Sequence, residues 1–173
     1  MKQFAAVHSG SLSGRATVPG DKSISHRALI FGALSIGETR ITGLLEAADV
    51  LATAQIVKQL GAGVSRNDGE WTVTGRGIGG LRSPDEPLDF GNSGTSARLM
   101  AGVVTGHDIE AVFQGDASLS HRPMGRVLTP LKKMGLSIPD THRDTLPLTL
   151  RGAAQAIPIV YRLPVPSAQV KSA

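Results

Sequence analysis

Pro19-Gly20-Asp21-Lys22-Ser23-Ile24-Ser25-His26-Arg27 opens directly into the apolar run Ala28-Leu29-Ile30-Phe31-Gly32-Ala33-Leu34. A proline-glycine turn followed by small polar residues and apolar periodicity predicts a helix start, with Ser23 as the expected N-cap. Free backbone N–H groups and the positive end of the helix dipole would then face whatever lies above Lys22. Lys22 adds a point charge, and Arg27 a guanidinium fork suited to a carboxylate or phosphate. An ordinary capped surface helix with two solvated cations would read the same way from this stretch alone.

Recurrence weighs against that plainer reading. Phe90-Gly91-Asn92-Ser93-Gly94-Thr95-Ser96-Ala97-Arg98-Leu99-Met100 is again a glycine turn, small hydroxyl residues, an arginine and an apolar helix. Pro166-Ser167-Ala168-Gln169-Val170-Lys171-Ser172-Ala173 begins a third copy. The serines at 23, 93 and 167 lie 70 and 74 residues apart, a period that suits a multi-strand unit rather than a solenoid repeat. Three helix starts of one chemistry imply one shared anion site.

Composition removes several function classes. With 173 residues, 40% apolar and 18% charged, the chain has the usage of a soluble globular domain. The absence of cysteine excludes a disulfide framework, a thiolate zinc site and a cysteine nucleophile, and leaves cytoplasm as the default compartment. A net charge of +4 is spread along the chain and aromatics are only 3%, which argues against nucleic acid as a partner. No apolar run reaches membrane-spanning length, and the run after Met1 is too short for a signal peptide. The histidines at 8, 26, 107, 121 and 142 lack metal-ligand spacing, so no metal is expected. His26 and His121 are read as partly exposed neighbours of Arg27 and Arg122.

Read in order, residues 14–18 predict a strand, 23–34 a helix ended by Gly37, 38–42 a strand and 47–60 a second helix. Residues 64–67 and 71–74, joined by Asp68-Gly69, predict a hairpin. The same β-α-β-α-β-β order follows, with strands at 88–90 and 109–114, helices at 93–104 and 124–134, and strands at 136–138 and 146–150. A strand at 157–163 then begins a third unit. Strands alternating with helices predict an α/β (α+β) fold, a mixed sheet layered against helices.

Gly75-Arg76-Gly77-Ile78-Gly79-Gly80 has the G-x-G-x-x-G spacing of a dinucleotide fingerprint. The residues after it include Pro84 and Pro87 and cannot open a helix, so it is a loop. Gly115-Asp116-Ala117-Ser118-Leu119-Ser120-His121-Arg122-Pro123-Met124-Gly125-Arg126 is a stronger signal, because the proline holds Arg122 rigidly at a helix mouth. Arg126 is expected to be a surface ion-pair partner, and Asp21 and Asp116 turn or cap residues.

The Pro19–Arg27 stretch, the Gly91–Thr95 turn, Gly115–Arg126 and Ser167–Ala173 together resemble, in order and across the whole chain, the N-terminal part of the 5-enolpyruvylshikimate-3-phosphate synthase family. Ser167-Ala168-Gln169 and Gly115-Asp116-Ala117-Ser118-Leu119 are closer to its class II branch. The sister family, UDP-N-acetylglucosamine enolpyruvyl transferases, is the alternative; it usually has Lys-Asn where this chain has Lys22-Ser23. The resemblance implies transfer of the enolpyruvyl group from phosphoenolpyruvate to the 5-hydroxyl of shikimate-3-phosphate, releasing phosphate, without a cofactor. It implies Lys22 between the two substrates and Ser23 and Arg27 on the shikimate moiety. Ser167 and the Ala168 backbone would hold the 3-phosphate, with Gln169 near both ligands. Arg122 would grip phosphoenolpyruvate and Gly94 would let the backbone approach it. Asn92, Thr95 and Arg98 match the motif as site or turn residues, and Lys171 joins them as a further candidate.

The fold it implies is a lobe of three β-α-β-α-β-β units, an inside-out α/β barrel. Units at about 14–75, 88–150 and 157–173 would make one incomplete lobe with its third unit truncated, and residues 1–13 are candidates for the second lobe. Proton-transferring carboxylates are expected in that second lobe, so a complementary C-terminal polypeptide is a candidate partner. A non-catalytic module that only holds phosphorylated ligands is the competing reading.

Overall fold

A computed structural model of the chain describes residues 5–8, 10–140 and 143–173. The hydrophobic repeat of 28–34 forms helix α1, Lys22–Leu34, which turns Ser25, His26, Leu29, Ile30 and Ala33 inward. Its cap is Asp21, not Ser23: the Asp21 carboxylate accepts from the Ile24 N–H at 2.8 Å. Ser23 is the second residue of the helix, two positions past the cap. The helix also stops before Gly37, at Ser35, whose N–H and hydroxyl both donate to the Phe31 carbonyl. Gly37 is already in strand β1, Ile36–Thr42.

Helix α2, Ala48–Gln59, follows, and then strands β2, Gly63–Asn67, and β3, Glu70–Arg76. Asp68 and Gly69 have φ of 47° and 81°, the left-handed pair of a two-residue hairpin turn. The three strands form an antiparallel sheet in the order β1-β3-β2. Its central strand buries Trp71 and Val73 against the helices, while its edges are mostly exposed and charged. Glu38 and Arg40 pair along β1 at 3.0 Å, and Arg66 of β2 reaches Glu46 at 2.6 Å.

The second half holds strand β4, Leu88–Asp89, helix α3, Gly94–Thr105, strand β5, Glu110–Gln114, helix α4, Ala117–Ser120, helix α5, Gly125–Lys133, and strand β6, Leu148–Arg151. Strands β4 and β5 run parallel, and β5 and β6 antiparallel. The helices therefore pack on two three-stranded sheets rather than one mixed sheet. Short α4 was not expected; Asp116 caps it, accepting from the Leu119 N–H at 2.7 Å. One continuous core joins the halves, with Phe90 and Phe113 fully buried and their ring centroids 4.6 Å apart.

Three expected strands are absent or reduced. Residues 14–18 are exposed and have no ladder partner among the described residues. An unpaired strand gains no ladder hydrogen bonds, so pattern alone does not make one. Residues 157–163 also form no ladder, with one backbone bond from the Ile157 N–H to the Met134 carbonyl, although Ile159, Tyr161 and Leu163 are half-buried. Leu136 and Ile138 are buried as a strand pattern demands, yet only Ser137 bridges Arg151. The third glycine-free start does fold as read: helix α6, Ala168–Ser172, is capped by the Ser167 hydroxyl.

Candidate anion-binding site

Lys22, the first residue of α1, extends its ammonium to the Asp49 carboxylate in the first turn of α2. Burial pushes the Asp49 carboxyl up, but the hydrogen bond and charge of Lys22, helped by the Val50 N–H, outweigh it and hold it below the ordinary carboxylate range. Ser23 is exposed and its carbonyl accepts from Arg27 Nη1 at 3.1 Å. Arg27 Nη2 donates to Ser172 Oγ at 2.9 Å, which ties α1 to α6.

At the second helix start, Ser93 is the cap, and its hydroxyl accepts from the Ser96 N–H at 3.3 Å. Arg98 Nη1 folds back onto the Gly94 carbonyl at 2.9 Å, and its Nη2 reaches the Pro123 carbonyl at 3.3 Å. Arg122 Nη2 donates to Asn92 Oδ1 at 2.5 Å and Ser118 Oγ at 3.0 Å. Asn92 in turn donates to Asp116 Oδ2 at 2.7 Å. A methyl group on Gly94 would stand 2.6 Å from Arg98 Nη1 and 3.4 Å from Arg122 Nη1, so only glycine lets both guanidinium groups close over this turn. Burial lowers the pKa of Arg98, and the neighbouring charges of Arg126 and Arg122 add to it. Arg126 was expected to be an ion-pair partner; among the described residues it pairs with no carboxylate, and its charge acts on Arg98.

The third start reaches the second through Gln169 Nε2, which donates to Thr95 Oγ1 at 3.2 Å. Ala168 and Lys171 are exposed on α6. The structure thus links Arg27, Thr95, Gln169 and Ser172 in one set and Asn92, Gly94, Arg98 and Arg122 in another, with α3 common to both.

His26 departs from its expected exposure. It is fully buried, with Nδ1 2.7 Å from Thr53 Oγ1, and Thr53 Oγ1 is 2.8 Å from Ser96 Oγ. His121 is exposed as expected, and His142 lies outside the described residues. Asp49, Thr53, Ser96 and Ser118 were all missed. The first two carried a signal, because Lys22 and His26 on one helix and Asp49 and Thr53 on another are each i,i+4 pairs on a single face. Among the described residues no three His, Asp or Glu side chains gather as a metal site. No helix among them is long and apolar enough to cross a membrane.

A family profile described as EPSP synthase (3-phosphoshikimate 1-carboxyvinyltransferase) matches residues 7–173. The chain belongs to the EPSP synthase family. A 3-phosphoshikimate 1-carboxyvinyltransferase from Parvibaculum lavamentivorans is 66% identical over 171 residues, which are 98% of this chain and 38% of that protein. One from Novosphingobium aromaticivorans is 59% identical over 173 residues, 99% of this chain and 39% of its own. The solved EPSP synthase from Acinetobacter baumannii superposes with a TM-score of 0.85 at 46% identity, covering 92% of this chain and 36% of that one. The fold is therefore that of the EPSP synthase family over the shared residues. The chain spans under two fifths of the length of the curated relatives it matches.

Proposed function

We propose that this segment is the substrate-holding part of an enzyme that transfers the enolpyruvyl group from phosphoenolpyruvate to the 5-hydroxyl of shikimate-3-phosphate with release of phosphate. The observation that carries this reading is the pair Arg98 and Arg122 closed over Gly94 at the start of α3, with only neutral acceptors as partners. Guanidinium groups preorganised by neutral oxygens keep their charge for a ligand, and a densely anionic substrate supplies what they lack. Arg122 grips phosphoenolpyruvate there while the Gly94 backbone lies against it, with Asn92 and Arg98 shaping the turn. Lys22 stands between the two substrates, Ser23 and Arg27 address the shikimate ring, and Ser167 and the Ala168 N–H take the 3-phosphate. Gln169, held to Thr95, lies near both, and Lys171 adds charge at the rim. Units at about 14–75, 88–150 and 157–173 make one lobe of a cytoplasmic protein.

The same geometry supports a second statement, that the 173 residues alone bind without turnover. Proton transfers need an available acid or base. Asp21 caps α1, Asp49 is paired with Lys22, and Asp116 caps α4 while accepting from Asn92. These three carboxylates are committed, as is Asp89, which accepts from the Gly91 N–H. An open site also leaves charge stabilisation weakened by water. A phosphate-release assay with both substrates tests this, run on the chain alone and after mixing with a separately made C-terminal portion of a relative. Activity only on mixing is expected; turnover by the chain alone refutes the statement, and failure of the full-length protein to release phosphate refutes the function.

A further inference from the structure

His26 is the residue that the proposed chemistry does not use and that the fold nevertheless buries completely. Its Nδ1 is bound to Thr53, but its Nε2 has no hydrogen-bond partner among the described residues and stands 3.9 Å from Asp49 Oδ2. Thr53 Oγ1 has three neighbours, His26 Nδ1 at 2.7 Å, Ser96 Oγ at 2.8 Å and the Asp49 carbonyl at 3.3 Å, and one proton to give.

Two tautomers of the neutral ring are available. If Nδ1–H donates to Thr53, the Thr53 proton goes to Ser96 or to the Asp49 carbonyl, and in either case the Nε2 lone pair faces a carboxylate, which is unfavourable in a buried site. If Ser96 donates to Thr53 and Thr53 donates to Nδ1, both buried hydroxyl protons are used and the Nε2 proton lies toward a negative charge, its nitrogen 3.9 Å from the carboxylate oxygen. Nε2–H then points at Asp49, which holds Lys22.

We infer that His26 is a positioning residue: a neutral, Nε2-protonated ring that completes the chain Ser96–Thr53–His26–Asp49–Lys22 and sets the spacing between the α1 and α3 helix starts. Ser96 lies in the first turn of α3, two residues after Gly94, and His26 lies one turn after Lys22. Thr53 of α2 is the only member bonded to both, so sliding α1 against α3 breaks two buried hydrogen bonds. The charged groups around the ring agree with neutrality. Burial holds its pKa down, with Lys22 and Arg27 lowering it further against the opposing pull of Asp49.

The hydrogen-bond order stands whatever the segment binds, whereas its effect on turnover rests on the enolpyruvyl-transfer reading. Long-range proton–nitrogen correlation spectra of the nitrogen-15-labelled chain at neutral pH read the tautomer directly. A protonated Nε2 with an unprotonated Nδ1 is expected; an Nδ1–H tautomer or a charged ring overturns the inference. In the full-length protein, Thr53→Val is expected to lower kcat/KM on the order of tenfold, mainly through KM for phosphoenolpyruvate, with Thr53→Ser restoring it. Equal losses for the valine and serine variants overturn the positioning role. Should Thr53→Val fail to fold, Ser96→Ala removes one hydroxyl from the other end. It is expected to raise the same KM, and an unchanged KM overturns the coupling to α3. If the unmodified full-length protein transfers no enolpyruvyl group, the functional reading falls and the tautomer still decides the chain.

Discussion

The starts of α1 and α3 are built from similar sequence and end up with different charge balance. At α1 the cation Lys22 is already matched by Asp49, while at α3 Arg98 and Arg122 meet only amide, hydroxyl and carbonyl oxygens. A matched ammonium exchanges one anion for another when a ligand arrives, and the net gain is small. Among the described residues Arg98 and Arg122 have no carboxylate within hydrogen-bond reach, only Asp116 beyond Asn92, and so gain more. The repeat therefore copied the helix start but not its charge balance, and the second copy is the stronger anion trap.

The largest effect that could break this contrast is expected at Arg122. Arg122→Lys keeps the charge but loses the fork that grips Asn92 and Ser118, and in the full-length protein it should cost about 1.5–3 kcal/mol in kcat/KM. Parity between Arg122→Lys and the unmodified protein would mean that α3 offers no more than α1. Next comes Gly94→Ala, whose methyl group must displace Arg98 and crowd Arg122. KM for phosphoenolpyruvate should rise roughly three- to tenfold while that for shikimate-3-phosphate stays level, and a parallel rise in both would place Gly94 outside the phosphoenolpyruvate contact.

The buried His26 sharpens the α1 side. Because its folded pKa lies below the ordinary 6.5, the unfolded chain binds more protons between those two values, so stability should fall as pH drops below 6.5 and level off above it. The slope is at most about 1.4 kcal/mol per pH unit. Denaturant midpoints at several pH values check this, and His26→Asn should flatten that segment; an identical slope in the variant assigns it to another group. The smallest difference is in the caps. Asp21 accepts at 2.8 Å and Ser93 at 3.3 Å, so Asp21→Ala should cost about 1 kcal/mol and Ser93→Ala less. Thermal unfolding that ranks them the other way reverses the order.

Much of this was legible in the chain because local rules governed it. The helices at 22–34, 48–59 and 94–105 followed from apolar spacing, and the Asp68-Gly69 hairpin from the φ angles that its turn requires. The strands at 14–18 and 157–163 did not follow, since a strand exists only when a neighbour completes its ladder and no short pattern names that neighbour. Placing the cap on Ser23 failed for a related reason, because Asp21, Ser23 and Ser25 are all cap-forming types and only backbone geometry chooses among them. The Lys22–Asp49 pair and the Thr53–Ser96 bond join residues 27 and 43 positions apart, beyond any local rule.

The charged rims of the first sheet bear on how copies of this molecule meet. Strands β1 and β2 are its edges, and each has unpaired backbone groups that another extended chain could zip onto. Glu38 and Arg40 on one rim and Arg66 on the other place ionised side chains beside those groups. An incoming strand would have to strip water from them before gaining a ladder, so the rims discourage intermolecular β-pairing and the fibrils that grow from it.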